Sequence, residues 1–349
     1  MRFIQKFSRN NWKWVSVLSV FIFIAALLLG VSIGSVSIPL SSLLEIIYYQ
    51  LFSKAAMPSE YVMYANIIFN VRLPRVLLAT IVGASLALAG AAFQGLLKNP
   101  LADPYTLGIS SGASVGAVVV LFFHIELFML GKFTLPIAGI IGGFLTLILV
   151  IGFSQLIDRN FSVETVILTG IIVSSFLGSL LSLMIALTGE ELRQIINWLL
   201  GSVAMRGYDY LLLALPFLVI GTLLIFLNSD ELNVLSFGEE TAKQLGVNVK
   251  KRKYMLLIGA SLLTGSSVAV SGTIGFVGLV IPHMTRMLVG PNHRRLLPLS
   301  FLNGASFLVL ADLVARTIIA PQELPIGVIT ALIGAPVFAI IFYRQRKGK

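Results

Sequence analysis

No cysteine occurs among the 349 residues, which excludes disulfides and thiolate-held metals. Charge is scarce too: Asp, Glu, Lys and Arg make up 11% of the chain, against 57% hydrophobic residues. Soluble domains carry roughly 25% charged and about 45–50% apolar residues. One globular core cannot hide that excess, so most of it must face lipid. The composition predicts an all-α, polytopic membrane protein with lipid as a standing partner. Acids are outnumbered, 15 against 25 bases, for a net charge of +10. In a soluble chain that balance would suggest nucleic acid. Here it points to positively charged cytoplasmic loops, and no nucleic-acid partner is expected.

Catalytic and nucleotide motifs are missing as well. There is no GxxxxGK[ST] and no HExxH, so neither a P-loop nor that zinc helix is present. GxSxG occurs twice, as Gly108-Ile-Ser110-Ser-Gly112 and Gly112-Ala-Ser114-Val-Gly116. A nucleophile elbow needs a strand before and a helix after, whereas both matches fall inside a small-residue membrane helix. His124, His283 and His293 are not clustered in sequence, and nothing else suggests a metal site. Acids within the apolar runs are few, Asp312 being the clearest. An ion-coupled secondary carrier, the competing class, usually places ionisable side chains or broken-helix ligands at mid-depth.

What is present is about ten apolar runs near the 20 residues a span requires. They are Asn11–Gly34, Arg75–Leu97, Pro104–Phe123, Phe133–Ile157, Val163–Leu187, Tyr208–Leu227, Tyr254–Val270, Gly275–Val289, Leu296–Ile319 and Pro325–Tyr343. The first could pass for a signal peptide, but its length and the flanking Trp12 and Trp14 favour a span with an interfacial anchor. No break in composition marks a soluble domain, so residues 1–349 read as one transmembrane unit. The longest connections are Ser35–Pro74, Thr188–Gly207 and Asn228–Lys253. With the N-terminus inside, 18 of the 25 Lys and Arg fall on one side. The other side holds Lys54, Arg72, Arg75, Lys132, Arg193, Arg206 and Arg316. That asymmetry predicts that both termini are cytoplasmic.

Small residues run along the spans, as at Gly83, Ala87, Gly90 and Ala91, and let helices approach closely in lipid. GASLALAG from Gly83 returns as GASLLTGS from Gly259, in spans of opposite direction, as inverted-repeat halves would require.

The charged stretch SFGEETAKQLGVNVKKRK, Ser236 to Lys253, stands out in this chain. Ser236-Phe-Gly-Glu239 has the form of a capping box. Glu239 and Glu240 suit the positive end of a helix, and Gly246 suits a left-handed stop. About nine helical residues are marginal alone and need a docking surface. Phe237, Ala242 and Leu245 offer an apolar edge to one. A solvated turn tucked under the bundle is the alternative. Asp103-Pro104 reads as an N-cap with proline at the first helical position. Thr188-Gly-Glu-Glu191 repeats the capping-box pattern before an amphipathic LRQIINWLLG, either a lid or an interfacial anchor. Arg72, Arg75 and Arg316 lie against the charge trend on the outer side. Exposed arginines there could bind carboxylates of a partner, and the alternative is pairing with lipid phosphate, Asp312 or Glu323.

From about Val71 to Phe342 the chain resembles the cobalamin and ferric-siderophore permease family, the membrane subunits of type II ABC importers. The resemblance rests on RLPR at Arg72–Arg75 followed by AGAAFQGLLKNPLADPYTLGISSGA, on NWLLGS at Asn197–Ser202, and on LSFGEETAKQLG at Leu235–Gly246. It continues through GTIGFVGLVIPHMTR at Gly272–Arg286, HRRLLPLS, ADLVAR and ELPIGVITALIGAPVF. It implies ten spans in a bacterial plasma membrane, a second permease subunit, identical or homologous, two ATPase subunits and an extracytoplasmic binding protein. The chain itself would be no enzyme and hold no cofactor or metal, with ATP and Mg bound by the ATPase. The cargo implied is a large metal chelate, an iron(III)-siderophore first, with cobalamin or haem as alternatives.

The resemblance also implies roles for particular residues. Gly238, Glu239, Glu240, Ala242, Leu245 and Gly246, within a segment spanning 229–253, would couple to the ATPase. Arg72, Arg75 and Arg316 would meet acids of the binding protein. Leu192, Ile195, Ile196, Trp198 and Leu199 would form an outer gate helix beside the fifth span, which lines the path. Val163, Glu164 and Thr165, in the loop region from Phe161, would form the inner gate.

Overall fold

A computed structural model describes residues 12–34, 38–51, 58–159 and 161–347. The basic Arg2, Lys6, Arg9, Lys54 and Lys349 lie outside the described residues. Within them every regular element is helical. The long helices are α1 (Trp12–Ser32), α4 (Leu73–Leu96), α5 (Ile109–Phe122), α6 (Thr134–Ile157), α7 (Val163–Leu187) and α9 (Gly207–Phe226), then α12 (Val249–Ser271), α13 (Val277–Val289), α14 (His293–Thr317) and α15 (Ile326–Lys347). These are the ten expected spans. Seven are long and apolar enough to cross a bilayer unaided; α5, α13 and the apolar part of α15 are shorter.

Between them lie α2 (Leu40–Leu51), α3 (Ser59–Ile67), α8 (Leu192–Leu199), α10 (Ser229–Leu235) and α11 (Glu239–Gln244). The Ser35–Pro74 connection is therefore partly helical, and α3 runs through a π turn at Ile68–Arg72 directly into α4. Sequence reading missed α2, α3 and α10 because they are short and mix polar with apolar residues.

Two spans begin differently from expectation. The third breaks at Gly108 (φ +80), which separates a short 3-10 turn, Pro104–Leu107, from α5. Asp103 does cap, accepting from Tyr105 N at 2.9 Å, but it caps that turn. The seventh starts five residues early, with Asn248 Oδ1 accepting from Lys251 N. Lys and Arg are good helix formers, so the charge that argued for a loop does not stop the helix.

Burial sorts the helices into layers. Nearly every residue of α4 is buried, whereas in α7 only Val166, Thr169, Gly170 and Met184 are, so α4 is a central post and α7 a face of the bundle. α12 and α14 pack against α4. Leu96 and Leu97 at the end of α4 share a small cavity with Lys253 and Leu257 near the start of α12, so these two helices, which carry the repeated small-residue fragment, run antiparallel. Close approach is where glycine is required. A Cβ on Gly83 would strike the Gly304 carbonyl, and one on Gly116 the Ala138 carbonyl. Both GxSxG serines lie buried in α5 as packing residues.

Candidate functional site

The basic end of the bundle is held by ion pairs that fix α10 and α11 to the spans. Asp230 takes a two-pronged contact from Arg294, which keeps its carboxyl below the usual range. Glu231 pairs with Arg252 at 3.0 Å, and Arg252 also donates to Asn228 Oδ1. Asn233 Oδ1 accepts from His293 N at 2.8 Å. The seven-residue α10, the base of α11, is thus clamped on α12 and α14 before the knob begins.

The knob is shorter than expected, Glu239–Gln244, and its capping box does not form. Ser236 Oγ turns back and donates to Asn233 O at 2.6 Å, so it closes α10. Gly238 (φ +121) stands at the N-cap without a side-chain bond. Serine near a helix end can bond the carbonyl three residues behind it, and here that bond wins. The C-terminal expectation holds. Gly246 is left-handed (φ +82), with its N–H on Lys243 O and that of Val247 on Ala242 O, the paired bonds of a Schellman motif.

The apolar edge splits. Ala242 is buried in the bundle, while Phe237 and Leu245 are 78% and 66% exposed. Of the two acids, Glu240 is exposed and pairs with Lys243 at 2.7 Å. Glu239 instead turns inward to the buried Lys253 at 2.6 Å. The same ammonium donates to Phe161 O at 2.8 Å. Phe161 is fully buried and left-handed (φ +55), with its ring on that of Tyr254. It opens the Phe161–Thr165 region, where Ser162 and Thr165 hydroxyls pair at 2.8 Å and Val163 and Glu164 start α7. Sequence reasoning missed Lys253. It sits in a run of four bases, and no local signal distinguishes the buried one.

At the opposite end the exposure expected of three arginines is not found. Arg72, Arg75 and Arg316 are all buried. Arg75 pairs with Asp312 and, at 2.9 Å, with Glu323, the alternative left open above. Arg72 donates to Val31 O and Ser32 O at 2.9 and 2.7 Å, and Arg316 donates to Gly30 O. These carbonyls end α1 and have no partner within the helix. Two guanidiniums therefore close α1 onto α4 and α14.

The second expected capping box is also absent. Thr188 Oγ1 donates back to Met184 O at 2.6 Å, and Glu191 pairs with His124 at 3.0 Å. In α8, Ile195 and Trp198 are buried, Leu192 and Ile196 are exposed, and Leu199 is half-buried. The chain after α8 is sewn to two other segments: Ser202 N to Ser271 O, Ile326 N to Gly201 O, and Thr273 Oγ1 to Leu199 O. Alongside, the Tyr105 hydroxyl accepts from Ile274 N at 3.1 Å and donates to Ile274 O at 2.8 Å. α7 presents Ser175, Ser179 and Ser182 on an exposed face, each donating to the carbonyl four residues back.

Compared with solved structures, the fold is that of an ABC-importer permease. It superposes with a TM-score of 0.83 and 34% identity on a metal-chelate type ABC transporter in an inward-facing conformation, covering 95% of this chain and 99% of that one. Residues 22–344 match the FecCD transport family, and the chain belongs to that family. It is 58% identical over 341 residues to the ABC transporter permease protein YvrB of Bacillus subtilis, covering 97% of this chain and 96% of the relative. It is 43% identical over 286 residues to the molybdate import permease MolB of Haemophilus influenzae, covering 81% and 82%. The protein is a multi-pass membrane transport subunit.

Proposed function

We propose that this chain is the permease of an ATP-driven importer and forms the path for a bulky metal chelate, an iron(III)-siderophore before cobalamin or haem. The observation that carries the reading is the knob: a six-residue helix, clamped at its base, that turns Phe237, Leu245 and Glu240 outward. A helix this short is not stable alone, and an exposed apolar pair beside a charge is a small docking edge. The chain lacks a P-loop, so the nucleotide is hydrolysed on the partner that takes this edge.

In this reading the basic end and both termini face the bacterial cytoplasm, and two copies of the permease, identical or related, face two ATPases. A binding protein delivers cargo at the opposite end. There Arg72, Arg75 and Arg316 act beneath the docking surface by fixing helix ends. The contact residues for the ATPase are Phe237, Glu240, Leu245 and the turn at Gly246. Glu239, Gly238 and Ala242 seat the knob. α8 gates the outer mouth, Val163–Thr165 gates the inner one, and the serine face of α7 borders the path. The neutral hydroxyls of that face suit a large ligand whose specificity is set by the binding protein.

The test is reconstitution. Vesicles holding the chain with its co-purifying ATPase and binding protein should take up a radioiron-loaded siderophore only with ATP. The double substitution Phe237→Ser, Leu245→Ser should abolish ATPase co-purification while membrane insertion persists. Accumulation by the chain alone, or co-purification unaffected by that double substitution, would refute the assignment.

A further inference from the structure

The Lys253 ammonium is the one contact described above that belongs to the knob and to the start of α7 at once. It is 2% exposed, 2.6 Å from Glu239 Oε1 and 2.8 Å from Phe161 O. We infer that Lys253 is the positioning residue that carries displacement of α11 to the backbone at Phe161, and so to the first turn of α7. The inference rests on α11 being the ATPase-docked element.

The physical argument has three parts. A buried charge cannot be left unpaired, so the ammonium must follow its acceptors when either moves. Glu239 opens α11 and Phe161 lies two residues before α7. Shifting the knob therefore either drags the Phe161 carbonyl or breaks its bond. Second, the Phe161 backbone is poised to change. A bulky side chain in the left-handed region persists only when its surroundings impose it. Here Lys253 holds the carbonyl, the Tyr254 ring lies 4.7 Å from the Phe161 ring, and Lys250 reaches the neighbouring Arg159 O at 3.4 Å. Releasing the carbonyl removes one of those restraints. Third, the receiving side is stiff. The Ser162 and Thr165 hydroxyls pair at 2.8 Å, which ties Ser162 to the first turn of α7. The peptide whose carbonyl Lys253 holds also gives its N–H, that of Ser162, to Asp158 Oδ2 at 2.9 Å, so freeing the carbonyl leaves that N–H bond as the remaining polar anchor of the peptide.

A clip that only stabilises the fold would connect the same atoms, so the test must read transmission. The natural absence of cysteine allows a single reporter: Glu164→Cys, exposed at the start of α7, labelled with an environment-sensitive fluorophore. The labelled chain is reconstituted with its co-purifying ATPase and challenged with ATP and vanadate, and the signal is taken per complex retaining ATPase. Lys253→Met should reduce the nucleotide-dependent change about fivefold or more, the lower bound of ordinary allosteric coupling. Lys253→Arg, which keeps charge and donors, should restore it.

Glu239→Gln is the second variant. It weakens only the knob side of the link and keeps an amide oxygen for the ammonium; it should lose most of the signal, read per complex retaining ATPase, with a smaller fall in melting temperature than Lys253→Met. A full signal in Glu239→Gln, or in Lys253→Met where that variant folds, would overturn the relay. If the parent complex gives no nucleotide-dependent change at residue 164, the docking reading falls first and takes the relay with it.

Discussion

Arg75 and Asp312, separated by 237 residues of chain, form a side-on pair in which Nε and Nη2 reach the two carboxylate oxygens at 2.8 to 3.0 Å. Both side chains are buried, and Arg316 lies 3.7 Å from the same carboxylate. The pair joins α4 to α14 just where α1 ends. Breaking a buried ion pair from one side leaves an uncompensated charge and costs about 3–5 kcal/mol. Asp312→Ala should therefore lower the melting temperature of the purified chain markedly. Arg75→Met combined with Asp312→Leu should cost less than the two single changes added together, because either one already breaks the pair, while Arg316, left without its carboxylate, keeps the double variant below the parent. A double variant whose loss equals the sum of the singles would show that the pair is not the source of the loss.

Tyr105 makes a different prediction. Its hydroxyl satisfies both backbone groups of Ile274, in the irregular stretch between α12 and α13. Buried polar groups left without a partner cost about 1–3 kcal/mol each. Tyr105→Phe keeps the ring and removes both bonds. It should destabilise the chain by about 2 kcal/mol or more, and hydrogen exchange at Ile274 should rise above that of the flanking helices. Exchange unchanged at Ile274 would mean that water or another group replaces the hydroxyl.

Asp103 ties stability to pH. Burial pushes its carboxyl up to about 6 from an ordinary 3.8, although its bond from Tyr105 N acts the other way. The folded value is the higher one, so the folded state prefers the protonated form. Its contribution is complete below about pH 4 and declines as pH rises through 6. Asp103→Asn keeps an acceptor for Tyr105 N without the charge. Relative to the parent it should gain stability as pH is raised from 4 to 7 and gain nothing below 4. Melting curves of both proteins across that range decide it; a difference independent of pH would exclude the titration.

How much of this was legible beforehand depended on the range of the forces involved. The spans could be read because lipid demands long apolar runs, and α7 starts and ends where the run does. The left-handed stop at Gly246 was legible because few residues other than glycine take that conformation readily. The caps at Ser236 and Thr188 were misread, since a hydroxyl can serve the helix behind it as readily as the one ahead, and sequence does not record the choice. The arginines were placed at the correct end of their helices but not in the correct environment, because Asp312, Glu323 and the last carbonyls of α1 are distant in sequence. Lys253 was hidden by its neighbours: among Lys250, Lys251, Arg252 and Lys253, only the fold decides which one turns inward.

The serines on the open face of α7 carry a last implication. With each hydroxyl hydrogen already committed to the carbonyl one turn behind, Ser175, Ser179 and Ser182 leave only lone pairs for whatever passes. In the proposed arrangement, with α7 beside the path, a wall of that kind would wet without gripping, and a polar cargo would meet no sequence of serine donors to hold it.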